Sequence, residues 1–170
     1  MQLIAIGQGS RTARFFTRSV MFNGNELNYQ HNPIINEGFW PDLNLEDFQK
    51  QRQVPADLDN DLLTDALLAS VAEINLSLAS LKRQLLAKGY KTAGEVTGAS
   101  ANGQNALSAQ YKKAVYARAK ADLIGEYTTM VSRAPHPQQE SPEIRRRLLT
   151  EAAVVIRNMK GLKRVTVAMI

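Results

Sequence analysis

A chain of 170 residues with 44% hydrophobic side chains is near the size of one domain and can fill one core, which its 6% aromatic content predicts to be aliphatic. Zero cysteines exclude disulfides, thiolate metal sites and cysteine nucleophiles, and fit a reducing compartment or a virus assembled in one. The net charge of +5 is divided: residues 42–73 carry eight acids against Lys50 and Arg52, and residues 82–125 carry eight bases against Glu95 and Asp122, so halves of one chain or neighbouring copies can attract each other.

The first apolar run, Met1 to Gly7, lacks the basic flank of a secretory leader, and no stretch approaches the roughly 18 apolar residues a membrane span needs. Gly7-Gln8-Gly9-Ser10-Arg11 is a poor phosphate loop, without the lysine and the following helix. Asn23-Gly24, between apolar residues, is a hairpin signal. Phe39-Trp40-Pro41-Asp42-Leu43 then places the single Trp ahead of a short predicted helix, Leu45 to Arg52. Trp40 reads first as a cap on a helical core; the sharper reading makes Phe39 and Trp40 an interface anchor, a role in which large aromatics are enriched.

From about Asn60 to Lys88, Leu63, Leu67, Ser70, Ile74, Leu78, Leu81 and Leu85 recur at spacings of three and four, the period of one helix face. Asp59 is the expected N-cap and Gly89 the expected stop of a rod roughly 43 Å long. Residues 92–105, rich in Gly, Ala, Ser and Asn, read as a mobile connection. A second long helix is predicted over Leu107 to Ser132, with Ala114, Ala117 and Ala121 allowing another helix to approach closely. Ser141-Pro142-Glu143 caps a third, ending at Gly161 on a stripe of Ile144, Leu148, Ala152, Val155, Ile156 and Met159. The last residues, Arg164-Val165-Thr166-Val167-Ala168-Met169-Ile170, alternate like a β-strand, and such a strand seeks a partner edge. The predicted fold is therefore mainly α: a bundle of about three long helices (57–161), preceded by an extended arm with a possible hairpin and a short helix (1–56) and followed by a strand tail (162–170).

Chemistry is scarce. His31 and His136 lie in Pro- and Asn-rich segments without a second ligand at metal spacing, and Asp57, Asp59 and Asp61 lack the later glycine and glutamate of a Ca²⁺ loop. The reading is no enzyme, no cofactor and no metal. A basic run with Lys112, Lys113, Arg118 and Lys120 supports an alternative, a small helical nucleic-acid-binding packaging or regulatory factor, although a solvated helix face explains such a run as well.

Taken together, Phe39-Trp40-Pro41-Asp42, Ala66-Leu67, Val71, Ile74-Asn75, Lys88-Gly89-Tyr90, Leu107, Tyr111, Ala114-Val115-Tyr116, Leu123-Ile124, Glu126-Tyr127, Arg146, Gly161 and Arg164-Val165-Thr166-Val167 resemble, in order and spacing over residues 39–170, the head completion protein of P2-like tailed bacteriophages. Ala168 and Met169 stand where that family usually has an acid and a leucine. The resemblance implies a structural virion protein that closes the DNA-filled head. It would bind the portal as a ring of copies, twelve to match the portal, and give the neck or tail-completion protein its docking surface, with packaged DNA passing through the ring. It also implies a place at the head-tail interface of the virion, assembly in the bacterial cytoplasm and no membrane partner. The expected partner-binding residues are Phe39, Trp40, Arg164, Val165, Thr166, Val167, Met169 and Ile170.

Overall fold

In the computed structural model, residues 32–130 and 142–162 are described, with the backbone alone for 125–130. The protein is mainly helical, with two small antiparallel strand pairs. In chain order these are β1 (Pro33–Ile34), β2 (Leu43–Asn44), α1 (Leu45–Arg52), α2 (Asn60–Ala87), a 3-10 turn (Ala93–Glu95), β3 (Ser100–Ala101), β4 (Gln104–Asn105), α3 (Ala106–Met130) and α4 (Pro142–Met159). The predicted hairpin at Asn23-Gly24, the Gly7 to Arg11 loop, both histidines and the C-terminal strand lie outside the described residues.

Local chemistry explains the helix ends. The Asn44 side chain accepts from Glu46 N, and Gln53, with φ of 51°, closes α1. The Asp59 carboxylate accepts from Asp61 N at 2.8 Å and Leu62 N at 3.3 Å to start α2, so this acid works as a cap. Gly89 and Gly161, with φ of 93° and 68°, take the left-handed conformation beyond α2 and α4.

α3 is the central element, packed on α4 most extensively and on α2 along its other side. One of its faces places Tyr111, Ala114, Val115, Tyr116, Ala119 and Leu123 in the main core with Leu63, Leu67, Val71, Ile74 and Leu78 of α2. The other sets Ala117, Ala121 and Ile124 against Leu148 and Ala152 of α4. The alanines remove side-chain bulk where α4 crosses, and Arg145 Nε donates to the Ala121 carbonyl at 3.1 Å. Nearly every α3 position from 111 to 124 is buried or half-buried, which explains why it shows less of a polar face than an outer helix.

Three differences from the sequence reading have physical causes. Residues 33–54 are core rather than arm: Ile34, Phe39, Trp40, Leu43, Leu45, Phe48 and Val54 are all buried in the main cluster, so aromatic rings complete a core whose helices are largely aliphatic. The 92–105 connection is built structure. Asn102 and Gly103 have φ of 52° and 73°, the geometry of a two-residue hairpin turn, and pair Ser100 with Asn105 and Ala101 with Gln104. Buried Asn105 then donates to the carbonyls of Ala93, Gly94 and Val96 while its Oδ1 accepts from Ser108 N and starts α3. Finally, α2 is long and apolar enough to cross a membrane by length and composition. Ser and Asn interrupt its apolar run, so no unbroken apolar stretch marks it in the sequence, although Glu73 is the sole charge between Asp65 and Lys82.

Two stability outcomes follow from this packing. Ile74 is 2% exposed at the centre of the α2 seam, so Ile74→Asp, which buries an unpaired carboxylate, should cost several kcal/mol (roughly 3–5) and unfold the domain, whereas Lys112→Ala should leave the melting temperature almost unchanged. Equal loss in both would overturn these helix faces. Asn105→Ala strands three carbonyls and one amide and should destabilise by about 3 kcal/mol in chemical denaturation; a loss below ~0.5 kcal/mol would mean that water replaces those bonds without penalty.

Candidate interaction surface

Asn36 organises the junction of the N-terminal segment with the helices. Its Nδ2 donates to Tyr111 Oη at 2.8 Å, the Tyr111 hydroxyl donates to Asn75 Oδ1 at 2.7 Å, and Asn75 Nδ2 donates back to Asn36 Oδ1 at 2.9 Å. This closed ring of hydrogen bonds ties the segment before β2 to both α2 and α3. Asn36 N also donates to Asp42 Oδ1 at 2.8 Å, folding residues 36–42 into a compact turn.

That turn aims two aromatics inward. Trp40 stacks on Tyr111 with ring centroids 4.9 Å apart and planes 3° from parallel, and Phe39 meets Trp40 edge-on at 5.0 Å. Lys82 Nζ lies 6.0 Å from the centre of the Phe39 ring and 2.8 Å from Glu37 Oε1. The Phe39 carbonyl accepts from Ala93 N at 2.8 Å, drawing the 3-10 turn onto the aromatics. Trp40 Nε1 is buried with no hydrogen-bond partner, a donor that burial leaves at a cost.

Between residues 38–42 and the 92–108 segment lies an open cleft of about 550 Å³, lined by Asp42, Thr92, Asn102, Gln104, Ser108 and Lys112 as well as the two aromatics. Phe39 and Trp40, 4% and 2% exposed, offer a partner only the atoms that border this cleft. Arg164, Val165, Thr166, Val167, Met169 and Ile170 lie outside the described residues. Sequence reasoning missed Asn36 and, although Asn75 belongs to the family resemblance, the bonding role of Asn75; an amide within an apolar helix was the available signal for the second.

Charge is organised mostly within the fold. Arg52 pairs with Glu151 at 3.1 Å and donates to the Lys113 carbonyl, Lys113 lies 3.8 Å from Glu151, and Lys120 Nζ donates to the Arg52 carbonyl. Arg118 bridges Glu73 at 2.8 Å, joining the acidic and basic blocks, and Asp122 at 3.5 Å. Three of the four bases that support a nucleic-acid reading thus have intramolecular partners. Among the described residues no group of three His, Cys, Asp or Glu could hold a metal ion. The surface can bind and position; its polar groups are arranged to hold the fold together.

Burial dominates the two core tyrosines. It pushes the Tyr111 hydroxyl well above the ordinary phenol range against the opposing effect of its bond to Asn36, and pushes Tyr116 up to about 12 against its bond to the Asn44 carbonyl.

Comparison with known proteins bears on this architecture directly. The model of the family described as "Phage head completion protein (GPL)" matches residues 34–170, from the first buried residue of β1 to the end of the chain. A "Probable head completion/stabilization protein" of Haemophilus phage HP1 (strain HP1c1) is 36% identical over 144 residues, covering 85% of this chain and 96% of that protein. No solved structure matches.

The tyrosines give a pH test. Their folded-state pKa values lie above the unfolded value near 10, so their contribution to stability is complete below pH ~10 and is lost as pH rises from there through ~12. Alkaline titration followed by tyrosinate absorbance and circular dichroism should show these two of the five tyrosines ionising only as the helices melt, and Tyr116→Phe should move the melting transition to higher pH. Five equivalent titrations near pH 10 in a folded chain would refute the burial argument.

Proposed function

The chain belongs to the phage head completion protein family, and from that membership we propose that it acts as an adaptor which binds the portal of the packaged head as a ring and presents the surface on which the neck or tail docks. A structural role in head completion, as a virion component of a bacteriophage, follows from the family itself, which is not an enzyme class. The observation that carries the finer reading is the extent of the match: it takes in the segment that caps the helices, all four helices and residues 163–170, whose alternation of Val165, Val167 and Met169 suits strand addition to a neighbouring edge. A body held together by its own polar groups, with partner-seeking chain beyond α4, suits a protein that clips onto a preformed template. The alternative nucleic-acid reading retains Lys112, while Lys113, Arg118 and Lys120 have partners inside the chain.

Imaging purified portal mixed with this protein should show an added ring with the portal's symmetry, twelve copies on a twelve-fold portal; bare portals at saturating protein would defeat the adaptor reading. Binding to duplex DNA with a steep salt slope, and none to portal particles, would favour the alternative. Removing Arg164 to Ile170 should leave the helical circular dichroism intact and abolish co-sedimentation with portal-bearing heads, and Val167→Asp should reproduce the loss. Normal co-sedimentation of the truncated chain would remove the tail from the attachment role.

A further inference from the structure

The outward side of α2 is unlike the surface of a solvated helix. Asp61, Asp65, Leu68, Ala69, Ala72, Leu76, Ser80, Arg83, Leu86 and Ala87 are exposed and fall on one face opposite the buried leucines. Leu76 is 79% exposed, Leu68 47% and Leu86 45%. From Leu68 to Ser80 this stripe carries no charge; Glu73 lies to its side, paired with Arg118. A helix with apolar residues all round is expected to be covered on all sides, and among the described residues this outer side is left exposed.

The charges at the two ends of the stripe specify what covers the other. Asp61 and Asp65 stand at its N-terminal end and Arg83 at its C-terminal end, all exposed. A copy of the same helix laid antiparallel, with Asp65 opposite Arg83, also sets Leu68 opposite Ser80, Ala72 opposite Leu76 and Asp61 opposite Ala87. Asp65 then meets a base, and Leu68 and Leu76 each meet a small residue, which permits the close approach of about 8 Å between axes that alanine and serine allow. A parallel pairing would instead set acid on acid. We propose that the outer face of α2 is a two-fold docking surface for a second copy of this chain, paired antiparallel in the register Asp65 to Arg83. This contact goes beyond the adaptor reading and does not depend on it: an isologous pair closes at two copies, whereas a ring uses a head-to-tail contact, so dimerisation in solution and ring formation on portals are scored separately.

Sedimentation equilibrium of the full chain should give twice the 18.8 kDa protomer mass, and Leu76→Lys, at a position too exposed to disturb the fold, should return it to the monomer with unchanged helical content. Asp65→Arg and Arg83→Asp should each weaken association by roughly tenfold, and the double swap should restore it. Because the chain has no native cysteine, Ala72→Cys, beside the two-fold axis, should oxidise to a cross-linked dimer. Ala87→Cys, whose copies would stand about 39 Å apart along the axis, should not. A monomer at ~0.1 mM, single swaps that the double swap does not rescue, or cross-linking at Ala87 would each overturn the proposal. So would capture of the monomeric chain by zwitterionic lipid vesicles through Leu68 and Leu76, which would assign the face to a bilayer.

Discussion

The closed hydrogen-bond ring of Asn36, Tyr111 and Asn75 is the constraint on which the assembly of this domain turns. Within the ring, three side chains from three separate parts of the chain each donate once and accept once, and Asn36 further donates to the Pro41 carbonyl and accepts from Glu37 N, so the half-buried polar groups of the junction bond to one another. Because the Tyr111 ring is also the face on which Trp40 stacks, the polar and apolar parts of the junction share one residue. Position α2 or α3 differently and both the stack and the ring fail together. This is why a segment with only two short strands and one turn of sequence-local bonding can nevertheless be fixed against a helical body.

Helix identity was legible because helix chemistry is local. The Asn44, Asp59 and Pro142 starts, the Gly89 and Gly161 stops and the leucine period of α2 are all written within a few residues of where they act, and the structure places α1, α2 and α4 within a residue or two of those signals. What could not be read was the destination of polar residues whose partners are distant. Asn75 bonds across 39 residues to Asn36, and Asn105 serves carbonyls that only a folded loop brings together. The hairpin at Asn102-Gly103 carried the same Asn-Gly signal as Asn23-Gly24, but its flanking strands are two residues each and exposed in part, too short for an alternating pattern to register.

Of the interaction surfaces, the aromatic pair illustrates how one residue type supports opposite readings. Trp and Phe are enriched both at contact anchors and in cores, and only the presence of Tyr111 at stacking distance decides for the interior. The outer face of α2 shows the converse. The inward leucines alone account for the helical period of α2, and only the burial pattern reveals that the opposite side is apolar as well.

The bonds that lock residues 33–54 in place span long stretches of chain: Asn36 to Tyr111 across 75 residues, Asn44 to Tyr116 across 72 and Arg52 to Glu151 across 99. By contrast α3 meets its main partners, α2 and α4, as sequence neighbours. Low contact order favours early pairing of the helices and late docking of the aromatic segment. On a ribosome the order of synthesis is the reverse, since Phe39, Trp40 and Phe48 are made before the tyrosines that will cover them. Each nascent chain therefore carries uncovered aromatic surface until α3 has emerged, and a virus that makes its structural proteins in bulk must bring this one through that interval without its aromatics finding one another first.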